Sequence, residues 1–247
     1  MPSFKVSGLY EGLFVMQDSL TGSHWLHYPG ECILGELAGR SLTMLDTSAL
    51  SFGAFRRLYG SGSGSGSGAG NGTVVEPTTS WWRKLAGKIE TNLHFFALPG
   101  MFRRTLPKQI DPRLPESTLG LGVVLGRRNL VGGQAPDAAR FYPLQAMKER
   151  GFVQEDLAGT PIVVVMDASL GAPVAYVAKD GERALKLGKR DDLLVDEATG
   201  RTWDLAGKPH GPEGDRGERL PLAAGIFGRW YGFVASYPKT TIFGLDE

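Results

Sequence analysis

Apolar and polar positions near the start of the chain alternate in short runs separated by turn residues: Phe4-Lys-Val6, a turn containing Gly8, Leu13-Phe-Val-Met16, then Ser23-His-Trp-Leu-His-Tyr28. Short runs of period two predict a β-meander. Between the last two runs lies Asp18-Ser-Leu-Thr21-Gly22. An Asp that accepts from amides ahead of it, followed by Gly in a left-handed conformation, predicts a bulged hairpin loop. Gly-punctuated connections at Tyr28-Pro-Gly30 and Leu37-Ala-Gly39 lead to a strand over 41–45, then to a helix capped by Thr47 or Ser48 that buries Phe52, Phe55 and Leu58. Further along, the pattern predicts a buried strand over 119–125, a helix over 138–150 centred on Leu144, Met147 and Lys148, a β-branched strand over 161–166, and neighbouring strands over 173–178 and 184–187.

One template recurs. Asp18 to Trp25 and Asp196 to Trp203 both read D-x-x-T-G-x-x-W, 178 residues apart, and the same register aligns Leu42 with Leu220, Phe55 with Phe233 and Tyr59 with Tyr237. The second copy repeats the order of the first: strands over 192–196 and 201–205 around the turn, a Gly/Pro-rich loop, a strand over 219–222, and a helix carrying Phe227, Trp230, Phe233 and Val234 that stops at Pro238. The expected architecture is therefore α+β, with mostly antiparallel β-sheets, short helices and two related units. Residues 1–59 form an incomplete first unit, 60–73 a Gly/Ser-rich flexible linker, 74–106 an aromatic and basic connecting segment, and 107–247 a complete second unit.

Composition narrows the function classes. With 27 basic against 26 acidic residues the net charge is +1, so no whole-molecule field attracts nucleic acid or an anionic membrane. The single cysteine, Cys32, excludes an intrachain disulfide and a Cys-rich metal site. Met1-Pro-Ser-Phe-Lys5 does not read as a signal peptide, and no apolar run approaches the roughly 18 residues of a membrane span, so the expectation is a soluble chain of undetermined compartment. The stretch 81–104, with Trp81, Trp82, Phe95, Phe96, Arg103 and Arg104, has the residue types of a contact with a membrane surface or nucleic acid, but the favoured reading is a clasp packing its aromatics on one of the two units, because exposed aromatic patches are rare on monomeric proteins.

The run Arg140-Phe-Tyr-Pro-Leu144, then Asp156-Leu-Ala-Gly-Thr-Pro-Ile-Val-Val-Val165, then Leu194-Val-Asp followed by Thr199-Gly and Trp203, resembles the bacterial domain-of-unknown-function family 3179. Val6-Ser-Gly-Leu9, Thr21-Gly-Ser-His-Trp25 and Gly35-Glu-Leu-Ala-Gly39 resemble the second half of the same domain. The resemblance implies a fold and very little activity. Family members commonly carry a Cys-Pro-x-Cys-Gly-like segment after the Val-rich strand, and some look like selenoproteins there; in this chain Asp167 and Leu170 stand at those positions, so dithiol chemistry is lost. The first copy lacks a counterpart of the opening helix and central strand, which leads to the expectation that the natural protein extends upstream of Met1.

Candidate chemistry is sparse. His24, His27 and Cys32, with Met16, His94 or His210, are the residues suited to Zn²⁺ or copper, although positions 24 and 27 face opposite sides of a strand and are Arg201 and Asp204 in the second copy. Cys32 is the one candidate nucleophilic thiol. Asp18 and Asp196 make a symmetric pair of carboxylates, and Trp25 and Trp203 a pair of stacking rings; turn-building and core-filling account for the same four residues. Gly120 to Gly126 misses the G-x-G-x-x-G fingerprint by one residue, and no P-loop or G-x-S-x-G elbow is present. The reading is a non-catalytic binding or structural module with a ligand groove between the two units; the alternative is a thiol-type redox or metal-binding protein using Cys32, His24 and His27.

Overall fold

In the computed structural model, residues 3–43, 45, 47–59, 104–108, 110–126, 135–211 and 218–246 are described. The Gly/Ser-rich run and most of the aromatic and basic segment, including the proposed membrane contact, fall outside them.

The N-terminal meander forms, β1 (Phe4–Tyr10), β2 (Leu13–Asp18), β3 (His24–Leu26) and β4 (Glu31–Leu34) pairing in sequence order as one antiparallel sheet, but the turn expected at Gly8 does not: Gly8 pairs with Val15 inside β1, next to an irregularity in register after Val6. Glu11 and Gly12, both at positive φ, make the tight turn between β1 and β2. Residues 41–45 do not form the expected strand; only an isolated bridge between Ser41 and Glu31 is made. Helix α1 (Phe52–Tyr59) is present, but Ser51 rather than Thr47 or Ser48 caps it, its Oγ accepting from the Ala54 amide at 3.1 Å. Among the described side chains of α1, Phe52 is exposed, Phe55 half-buried and Ala54 buried, so Phe52 does not join the buried face expected for it.

After α1 the described chain is again mainly β: β5 (Leu119–Leu125), β6 (Ala138–Pro143), β7 (Phe152–Leu157), β8 (Thr160–Val165) and β9 (Val174–Val177), with α2 (Leu144–Arg150) between β6 and β7. The helix expected over 138–150 is thus half strand. Ala138 to Pro143 pair with β5, and Pro143, which lacks an amide proton, is the last of them and admits helix only after it. Gly151 at φ 74 closes α2, its amide bonding Met147 O at 2.8 Å. The short pairs β10 (Lys179–Asp180) and β11 (Arg183–Ala184) lead to a second meander of β12 (Leu187–Arg190), β13 (Leu193–Asp196), β14 (Thr202–Asp204) and β15 (Pro209–His210). Strand β16 (Gly225–Arg229) contains Phe227, which the sequence pattern had placed in a helix; α3 (Trp230–Ser236) starts just after it, and β17 (Thr241–Ile242) ends the fold. The strand expected over 219–222 is reduced to a bridge between Leu222 and Tyr176.

The sheets stack in layers. Val163, Val165, Val174 and Tyr176 of β8 and β9 pack on Leu187, Leu194, Trp203 and Leu205 of the second meander. The other face of the same sheet, through Ile162, Val164 and Ala175, packs on Leu121, Val123 and Tyr142. Behind those, Phe141 and Ile242 meet Trp230 and Phe233 of α3. The first meander lies against the end of β16 and the far side of α3, where the absent side chains of Gly228 and Gly232 leave room for Tyr28 and Leu13. The molecule is β-rich, its sheets mostly antiparallel; among the described strand pairs, β17 with β6 is parallel.

Candidate functional site

The two D-x-x-T-G-x-x-W loops have closely similar backbones. Asp18 N–H bonds Ser23 O at 3.0 Å and Asp196 N–H bonds Arg201 O at 2.8 Å, while Gly22 and Gly200 sit at φ 71 and 73. Both glycines occupy the left-handed position that the sequence pattern requires. In the first loop the Asp18 carboxylate accepts from the amides of Leu20 (2.9 Å), Thr21 (2.6 Å) and Ser23 (3.1 Å), from Thr21 Oγ1 (2.8 Å) and from the indole Nε1 of Trp25 (3.0 Å). The Thr21 amide, then the Trp25 indole, hold the Asp18 carboxyl far below the usual carboxylate range.

The second loop satisfies its carboxylate differently. Burial pushes Asp196 up, but the Thr199 hydroxyl (2.6 Å), the Arg183 guanidinium (3.0 Å) and the Ala198 amide outweigh it, and the net shift is downward. Trp203 turns its indole N–H to Glu218 O at 3.2 Å instead of to the aspartate, and the Arg201 guanidinium lies over its ring. Arg183 replaces the indole as the donor, a substitution that the motif alone does not signal. The four residues do not line a common cavity: Trp203 is in the core beneath β8 and β9, whereas Trp25 sits in the first meander with Phe4 edge-on at 6.3 Å.

Cys32 is fully buried opposite Trp25, its Sγ 3.5 Å from Leu34 O. His27 Nδ1 accepts from the Phe14 amide at 3.1 Å, and its ring leans on Phe14 and Tyr28. His24 Nδ1 is buried without a hydrogen-bond partner. Among the described residues no group of three or more His, Cys, Asp or Glu side chains is arranged to hold a metal ion.

At the positions where the family resemblance implied cysteines, Asp167 caps its own turn. Its bonds to Ser169 lower its carboxyl, with Lys189 Nζ 3.5 Å away. Leu170 is buried, and its carbonyl accepts from the Ser51 amide at 2.8 Å, so the segment leading into α1 is pinned to this loop.

Two polar clusters escaped the sequence reading because their members sit on different elements that only the fold brings together. Glu155 accepts a hydrogen bond from the Tyr142 hydroxyl and pairs with Arg140 Nε at 2.7 Å. Arg113 forks onto Asp111, reaches Asp246 at 2.8 Å and donates to Thr240 O at 2.8 Å. The second cluster borders an open depression of about 590 Å³ between the 107–113 segment and α3, lined by Glu11, Ile110, Arg113, Tyr231, Val234 and Pro238 among others. No helix among the described residues is long and apolar enough to cross a membrane.

The family model described as "Protein of unknown function (DUF3179)" matches residues 1–240, a span that includes both loops. No curated protein matches the chain, and no solved structure does.

Proposed function

Because the chain belongs to the DUF3179 family, we propose that it is a non-catalytic binding or structural module of α+β type, built from two related units whose loop residues hold the fold. The observation that carries this reading is the state of the two aspartates: each spends its carboxylate on its own loop or on a neighbouring arginine, and neither is left with the solvent-facing oxygen that a general base needs. The two-unit reading is supported by the shared loop backbone and by the common strand order of the two meanders. It is also supported by α1 and α3, which start at positions 178 residues apart. The ligand groove of this reading is the depression between the 107–113 segment and α3, to which the first unit contributes Glu11 beside Arg113 and Tyr231.

The rival is thiol or metal chemistry at Cys32 with His24 and His27, and purified protein separates the two. In the module, Cys32 reacts with an aromatic disulfide reagent only after unfolding, Cys32→Ala leaves folding unchanged, and no stoichiometric zinc or copper accompanies the chain. Rapid native reaction with the reagent or with peroxide, or a bound metal lost in His24→Ala, would reject the module reading.

A further inference from the structure

The sheet of β7, β8 and β9 is closed along one edge and open along the other. Beyond β9, residues 221–223 take the place of a further strand: Val177 N–H bonds Pro221 O at 2.8 Å and Ala223 N–H bonds Ala175 O at 3.0 Å. Beyond β7 no described strand pairs. Which backbone groups are left open follows from the register. Met166 N–H bonds Gly151 O at 2.8 Å, and that pair is in phase with Val153 opposite Val164 and Glu155 opposite Ile162. Those residues therefore turn their N–H and C=O toward β8, and Phe152, Gln154 and Asp156 turn theirs outward. Pro161, which has no N–H to give, stands opposite Asp156, as that alternation requires.

A groove follows this open edge. A depression of about 450 Å³ is lined by residues 153–157 of β7 and, across from them, by Arg140, Phe243 and Asp246. Its apolar part is Val153, Leu157 and Phe243, which belong to one core layer, with Phe243 stacked on Tyr142 at 5.8 Å. Its charges do not cancel. Arg140 pairs with Glu155 and Arg113 with Asp246, whereas exposed Asp156 has no cation among the described ion pairs and accepts from the Gly159 amide at 2.7 Å.

We propose that β7 is a strand-acceptor edge, to which an extended segment of a partner protein, alternating apolar and basic residues, adds as a fourth strand. Main-chain bonds to Phe152, Gln154 and Asp156 hold the segment. Its residues opposite Gln154 and Asp156 share the side of the Asp156 carboxylate, where basic side chains fit; the residues between them turn toward Leu157 and Phe243, where apolar ones fit. Five residues of edge offer roughly 17 Å of strand, so the contact is short and the binding weak. The proposal does not depend on the two-unit reading.

Amide hydrogen exchange of the full chain, followed by NMR, tests it with a capped heptapeptide alternating lysine and valine. Exchange at Phe152, Gln154 and Asp156 should slow saturably below about 1 mM peptide, while Val153 and Glu155, already bonded to β8, keep their rates. The same peptide N-methylated at its lysines, or carrying glutamate in place of lysine, should protect none of them. Asp156→Asn, which keeps an acceptor for Gly159, should weaken binding about two- to five-fold. No protection up to that concentration, equal protection by either altered peptide, an affinity unchanged in Asp156→Asn, or protection of β1 in place of β7 overturns the proposal. So does protection of the three amides before peptide is added, whether it rises with protein concentration (a second copy on the edge) or stays constant (another part of the chain).

Discussion

Asp18 and Asp196 show how one residue in one pattern reaches the same backbone by different bonds. Each turn needs a carboxylate to gather its amides and the threonine hydroxyl, and Thr-Gly supplies the hydroxyl and the left-handed residue. Both carboxyl groups are lowered in the fold. The stability they contribute is therefore fully present above the unfolded carboxylate value of about 3.9 and is lost as pH falls through their native values. Urea midpoints measured from neutral to acid pH should show Asp18→Asn and Asp196→Asn clearly less stable than the native chain near neutrality, and that gap should close on acidification. A gap that stays constant with pH would mean the loops do not depend on the charge. The turn role was legible from spacing alone; that the motif tryptophan completes the carboxylate in the first loop and Arg183, from outside the motif, in the second was not, because only the tertiary placement of Arg183 decides it.

At the scale of elements, β5 accounts for a glycine pattern that in sequence looks like a damaged nucleotide fingerprint. A Cβ on Gly122 would lie 1.9 Å from Phe233 Cε2, and one on Gly120 would lie 2.6 Å from Phe141 Cζ, so these glycines are seats for phenyl rings. Gly122→Ala should destabilise by at least the 1–3 kcal/mol typical of overpacking, roughly, read as a drop in the denaturant midpoint. Gly53 makes a contrast: it lies in α1 with nothing within 4 Å of a Cβ. Gly53→Ala should stabilise by roughly 0.5–1 kcal/mol through helix propensity. The strand β5 and the β-branched strand β8 were readable from composition, whereas the strand-to-helix switch at Pro143 was not. The apolar residues of 138–150 fit a helical period as well as a strand, and only pairing with β5 decides between them.

For the molecule as a whole, the decisive contact is the seat of the first meander on α3. Gly232 lies where a Cβ would come within 2.8 Å of the Tyr28 ring, and Leu13 packs beside it. Gly232→Val should therefore lift the first meander off α3, raising hydrogen exchange in β2 and β3 while β8 and β13 stay protected; uniform loss of protection would show instead that the layers unfold as one. The chain by itself determined the recurring loop, the meander strands around it, the β-rich class and the family, because those depend on alternation and turn chemistry within a few residues. Tertiary structure alone decided which face of each meander is core, where the motif tryptophans and Cys32 lie, and which distant charges pair. Those choices depend on what packs across the fold: β8 and β9 cover one meander on one side, α3 covers the other on the opposite side, and no local pattern encodes that difference.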